Sequence, residues 1–166
     1  MMPSQFYFAA ACISIALTSL ASAADSLSQR VDALYRDIEA DVINAPTISA
    51  ESLRQATTAP IWVDARSDRE RRVSGISGAI SIADLPAALK AEKRLVVVYC
   101  TVGYRSGLAV LDLQKQRIAA RNLRGGILAW LAAGGQIVDV SGKPTHKVHV
   151  YGKSWAVVPE GFEAIY

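Results

Sequence analysis

The apolar positions of the chain change period along its length. Leu27, Val31, Leu34, Ile38 and Val42 recur at helical spacing, which predicts an amphipathic helix from Asp25 that stops before Asn44-Ala45-Pro46. It would pack as an extension on the main body. Beyond it, short apolar runs alternate with helical patterns. Thr47-Ile48 predicts a short strand, and Ser49 the N-cap of a brief helix. Ile61–Val63, bounded by Pro60 and Asp64, is short and continuous enough for a buried strand, and GAISI (residues 78–82) for another. ADLPAALKAE predicts a helix with Pro86 in its first turn, and RLVVVYC (residues 94–100) the central strand. RSGLAVLDLQKQ predicts a helix with Leu108 and Leu111, and Val110 beside them, turned inward. RIAARNLRGG holds one more strand, GILAWLAAGG a helix ending at a glycine pair, and QIVDV a terminal strand or extended segment.

Strands alternating with helices over about a hundred residues specify an α/β unit with a mostly parallel sheet flanked by helices. The expected organisation is an extension over residues 24–45, a domain over 46–140 and a tail over 141–166 packed on it. In such folds ligands collect beyond the carboxyl ends of the strands, which is where Cys100 lies.

Residues 6–24 carry no charge, and the first Lys or Arg is Arg30. With small residues at Ala21 and Ala23, this is the pattern of an export signal cleaved after Ala23. The stretch before it, MMPSQ, lacks a basic side chain, and the apolar run approaches the ~20 residues that span a bilayer, so an uncleaved anchor is the alternative. Either way the domain is expected outside the cytoplasm, periplasmic or secreted. Removing residues 1–23 removes Cys12 and leaves Cys100 as the remaining cysteine, which excludes an intramolecular disulfide.

The 18 basic and 15 acidic residues give a formal charge of +3 and are scattered without a run of five like charges. That is a mixed solvated surface, which favours neither nucleic acid nor lipid as partner.

Between Cys100 and the following helix lies Thr101-Val102-Gly103-Tyr104-Arg105-Ser106. Gly103 permits a tight curl whose N–H groups form an anion-binding nest. A thiol in that nest, at a helix N-terminus and near Arg105, is biased toward thiolate. An inert, space-filling cysteine would need neither the glycine nor the cation.

YCTVGYRSG resembles the active-site loop of the rhodanese sulfurtransferase family. Two further blocks agree in order. IWVDAR resembles the family's strand ending in Asp-x-Arg, here Asp64 and Arg66, with Glu70 at the place of its downstream acid. NLRGGILAW resembles its L-x-G-G-x-x-A-W, here Leu123, Gly125, Gly126, Ala129 and Trp130. The blocks cover residues 47–140. VSGISGAI departs from the family's Gly-His-Ile-Pro-Gly-Ala, with Gly75 and Ser77 in place of the His and Pro.

The resemblance implies a three-layer rhodanese-like fold and sulfur transfer through a Cys100 persulfide, without metal or organic cofactor. A small anionic donor such as thiosulfate would load Cys100, and cyanide, a thiol or a protein acceptor would unload it. Arg105 would draw in the donor and stabilise the departing sulfite. Ser106 and Thr101 could donate hydrogen bonds at the mouth, Tyr104 line it and Val102 shape it. Asp64 and Arg66 would support the loop, and Trp130 and the glycine pair would serve packing. A non-catalytic or sulfur-carrying module serving a protein partner is a second reading. Phosphatase or arsenate reductase chemistry is a third, disfavoured by the four residues between Cys100 and Arg105, since phosphatases of similar architecture use Cys-x5-Arg to wrap a phosphate.

In the tail, HKVHVY predicts a strand, and Trp155 and Phe162 an aromatic cover for the domain, for the active-site mouth or for a partner. His146 and His149, three apart, would face opposite sides of a strand, which is poor ligand geometry.

Overall fold

The computed structural model describes residues 26–91 and 94–166. The expected leader, its cleavage after Ala23 and Cys12 lie outside the described residues.

A helix over residues 26–39 (α1) runs into a 3-10 turn at Ala40–Val42. There follow β1 (Thr47–Ile48), α2 (Ala50–Arg54), β2 (Ile61–Asp64), α3 (Asp68–Val73), β3 (Ile80–Ser81), α4 (Leu85–Ala91), β4 (Val96–Tyr99), α5 (Tyr104–Lys115), β5 (Ala120–Leu123) and α6 (Gly126–Ala132). The tail adds β6 (Lys147–His149) and β7 (Glu163–Ile165). Strands β1 to β5 form one all-parallel sheet in the order β1-β5-β4-β2-β3, so β4 is central. The expected α/β fold with a mostly parallel sheet is therefore found, with every pairing in it parallel.

Every residue of β2 and β4 is buried, because both faces of the sheet are covered. Alternation divides them between two cores. Trp62, Val97 and Tyr99 join Ile127, Leu128 and Leu131 of α6 on one face, and Ile61, Val63, Val96 and Val98 join Val110 and Leu113 of α5 on the other. Ser49 caps α2 through its side chain, as expected.

The inward face of α5 differs in part from the expected one: Val110 is in the core and Leu111 packs half-buried against it, but Leu108 does not face inward. Leu108 is 40% exposed, while Ser106, Gly107, Val110 and Leu113 are buried. The helix is rotated because Gly107 lies against Val42, where a Cβ would come within 2.7 Å of that side chain. Only a face of small residues can approach α1 and β5 so closely. QIVDV forms no strand; Val138 instead makes isolated bridges to Gly75 and Pro144.

Asp64, Arg66 and Tyr99 form a buried network between β2, β4 and the turn after α3. Arg66 donates to Asp64 from Nε at 2.9 Å and Nη2 at 2.7 Å, and Nη2 also donates to the Ser74 carbonyl at 2.6 Å. The Tyr99 hydroxyl donates to Asp64 at 2.7 Å and accepts from the Ile76 N–H at 3.1 Å. Burial and the Asp64 carboxylate raise the Tyr99 pKa, and against the cost of burial Asp64 raises that of Arg66, so the guanidinium stays charged and the phenol neutral. Tyr99→Phe strands the buried Ile76 N–H and removes one of the donors to Asp64, which keeps those of Arg66. It should lower unfolding free energy by about 1–3 kcal/mol in urea denaturation without changing the fold.

Candidate active site

Cys100 follows β4 directly and is 1% exposed, at the floor of a cavity of about 380 Å3. The wall consists of Thr101, Val102, Tyr104 and Arg105 from the loop and α5, Ile38 and Asp41 from the N-terminal extension, and Tyr151 and Trp155 from the tail. A second cavity of about 320 Å3, beside α1, α2 and α6, holds no thiol, and its Arg124 is already paired with Asp32.

The curl expected at Gly103 is present. Its φ of 113° is the left-handed region, and its N–H donates to Cys100 Sγ at 3.2 Å. A Cβ here would sit 2.7 Å from the Tyr35 ring of α1, so glycine is required by space as well as by backbone angle. The Gly103 carbonyl accepts from Asn122 Nδ2 at 2.9 Å, and Asn122 Oδ1 accepts from Ser106 at 2.7 Å. One β5 amide thus holds both ends of the turn into α5. From below, the Ile127 N–H donates to the Cys100 carbonyl at 2.9 Å. That approach requires Gly126, where a Cβ would stand 2.4 Å from the Thr101 carbonyl oxygen.

Arg105 lies above the sulfur and is held by Glu70 in a bidentate pair, Nη1 to Oε2 at 2.7 Å and Nη2 to Oε1 at 2.6 Å. Thr101 Oγ1 accepts from Arg105 at 3.2 Å. Glu70 is also the third residue of a capping box on α3, its Oε2 accepting from the N–H and hydroxyl of Ser67. Burial works against ionising Glu70, but Arg105 and Ser67 outweigh it and hold the carboxyl down at about 2. The Glu70 hydrogen bonds raise the Arg105 pKa against its burial.

Of the sequence-derived site residues, the fold brings Cys100, Thr101, Val102, Tyr104 and Arg105 together around one cavity, with the Gly103 N–H on the sulfur. Ser106 is not at the mouth: it is fully buried and its hydroxyl is given to Asn122, because α5 turns it toward β5. Asp64 and Arg66 bond to Tyr99 and the turn after α3, one residue behind Cys100, not to the loop from 101 to 106. The sequence did not single out Asn122, Tyr35 or Tyr151, whereas Trp155, expected in an aromatic cover for the domain, the active-site mouth or a partner, lines the cavity. Ser67-x-x-Glu70 carried a readable capping-box signal; an asparagine within a strand and an aromatic on a helix carried none. His146 packs edge-on against Phe162, whereas buried His149 accepts the Tyr151 N–H at Nδ1, so the two imidazoles occupy separate environments.

The chain is thus a parallel α/β domain that presents a cysteine in a glycine curl between its central strand and the next helix. The comparisons with known proteins place it more closely. Residues 49–133 match the family model of the rhodanese-like domain, and the chain belongs to that family. Among solved structures, it is similar to a rhodanese-related protein from Thermoplasma volcanium, at 27% identity over 56% of this chain and 97% of that one, with a TM-score of 0.48. It is also similar to a thiosulfate sulfurtransferase from Pseudomonas aeruginosa, at 26% identity over 70% of this chain and 24% of that one, with a TM-score of 0.53. No curated protein matches the chain.

The depressed Glu70 pKa has a sign. A carboxyl at about 2 instead of 4.5 contributes stability that is complete above about pH 4.5 and is lost as pH falls toward 2. Glu70→Gln should therefore be less stable than wild type at neutral pH. The gap between their urea midpoints should narrow over that acid window; a gap constant from pH 7 to 2 would refute the assignment.

Proposed function

We propose that the protein is an exported sulfurtransferase that works through a persulfide on Cys100. The observation that carries this reading is the sulfur itself, buried at the bottom of a cavity, with the Gly103 N–H donating to it and α5 starting beside it. Family membership and the similarity to a thiosulfate sulfurtransferase support it. The Cys100 thiolate attacks the outer sulfur of a donor such as thiosulfate. The donor S–S bond breaks, its electron pair leaves with sulfite, and Cys–S–S− remains. The persulfide anion is held by the Gly103 N–H and the positive end of α5. A thiol or cyanide then attacks the outer sulfur and releases the Cys100 thiolate. A protein thiol is an equally sound acceptor in this chemistry.

Two features favour sulfur over a phosphoryl group. The loop places four residues between Cys100 and Arg105, a small ring. Both terminal nitrogens of Arg105 are engaged by Glu70, so the guanidinium does not offer the free fork that a phosphate would take. Export rests on the uncharged leader and its Ala21-x-Ala23 site.

Intact-mass measurement tests both parts. Protein isolated from its own compartment should begin at Ala24, and after incubation with a sulfane-sulfur donor it should gain one sulfur atom, removable by cyanide. Cys100→Ser should gain none. No gain with any common donor would refute sulfur transfer.

A further inference from the structure

The mouth above Cys100 is built only in part by the segment that matches the family. Ile38 and Asp41 precede residue 49, and Tyr151 and Trp155 follow residue 133. Tyr151 is held there under strain. Its φ of 70° is rare for a bulky residue, its N–H is tied back to His149 Nδ1 at 3.1 Å, and its ring is exposed. That ring lies 5.3 Å from the Arg105 guanidinium. An exposed aromatic presented by a strained backbone at the lip of a reactive site points to a ligand.

The chemistry of the lip says which kind. Ile38, Val102, Tyr104, Tyr151 and Trp155 offer an apolar and aromatic wall. The charged groups lining the cavity are one guanidinium, Arg105, already paired with the Glu70 carboxylate, and one carboxylate, Asp41. Arg66, the cation behind the loop, is committed to Asp64. A small dianion gains little from such surroundings. A donor with one charge fewer, and an apolar body where the dianion carries an oxyanion, meets less repulsion and gains burial. The cavity of about 380 Å3 has room for that body.

On the sulfur-transfer reading, we infer that the collar of Ile38, Tyr151 and Trp155 makes Cys100 selective for organic sulfane-sulfur donors, R–S–S− or R–SO2–S− with an apolar R, over inorganic thiosulfate. With a thiosulfonate, the Cys100 thiolate bonds to the outer sulfur, the donor S–S bond breaks, and R–SO2− leaves with the electron pair. One thiolate and one anion give one persulfide anion and one sulfinate, with no oxidant or reductant required.

Benzenethiosulfonate and thiosulfate test this, since they differ in a phenyl group against an oxyanion. The rate of Cys100 persulfide formation is measured with each donor on wild type, Tyr151→Ala, Trp155→Ala and Tyr151→Phe. The intrinsic reactivities of the donors are the same for every variant, so the change in their rate ratio isolates the collar. The ratio of benzenethiosulfonate to thiosulfate should fall about tenfold in each Ala variant, the scale of discrimination that apolar pocket contacts provide, and be retained in Tyr151→Phe. Tyr151→Gly, which any backbone angle suits, provides a check on folding and should show the same fall. A ratio unmoved in the folded Ala and Gly variants overturns the inference while leaving sulfur transfer standing. Loading by neither donor overturns sulfur transfer, and the inference with it.

Discussion

The approach of Tyr35 to Gly103 is the contact on which the active-site loop depends. The ring of a helix outside the matched domain occupies the space that a side chain at position 103 would need. That contact fixes the left-handed turn, and the turn aims an N–H at the sulfur. The ring is itself held in place: Arg124 lies 4.3 Å from its centroid and pairs with Asp32 and Glu39 of the same helix. Arg124 belongs to the Leu-Arg-Gly-Gly segment whose next residues let α6 dock on the Cys100 and Thr101 carbonyls. The N-terminal helix and the glycine pair therefore hold the loop from two sides, and Asn122 closes the third.

Glu70 links the electrostatics to this geometry. Its carboxylate starts α3 and at the same time fixes Arg105. A cation at the loop's end reads in a sequence as a free attractor for anions, but here its charge is balanced by a nearly fully buried partner. The bidentate pair gives Arg105 a single orientation, which leaves a guanidinium face to Tyr151 and its field to the sulfur. Long-range attraction for a small anion is correspondingly weakened, and the positive end of α5 and the Gly103 N–H become the main local support for charge on sulfur.

The sheet and the loop were legible in the sequence because each is specified by its own residues. Val96–Tyr99 can hardly be other than a buried strand, and Cys100-x-x-Gly103-x-Arg105 carries its curl in its glycine. What could not be read is what depends on which element faces which. Helical spacing alone allowed Leu108 to point inward beside Val110; the choice of Gly107 in its place was made by the nearness of Val42 and Asn122. Ser106 changed role for the same reason. Tyr35 and Asn122 carry no local pattern, since their importance lies in the distances the fold sets between elements far apart in sequence. The tail was legible as a strand and an aromatic cover, but its pairing, β6 with β7 in parallel, needs a return across 13 residues that no periodicity announces.

These two kinds of information fall in different parts of the chain. On the sulfur-transfer proposal, the matched segment supplies the nucleophile and its nest, a geometry that any sulfane sulfur could use because the reacting group is one atom. On the same proposal, the extensions supply the surface against which the rest of a donor would lie. Tyr151, one of two non-glycine residues at positive φ among the described residues, lies in the second part, where β6 packs against α3 and the chain turns sharply to bring a ring over Arg105. A backbone cost of about 1–3 kcal/mol for such a residue persists only where surrounding structure determines it. Here the tie to His149 and the seat of β6 provide that structure, so the lip of the cavity is as firmly specified as its floor.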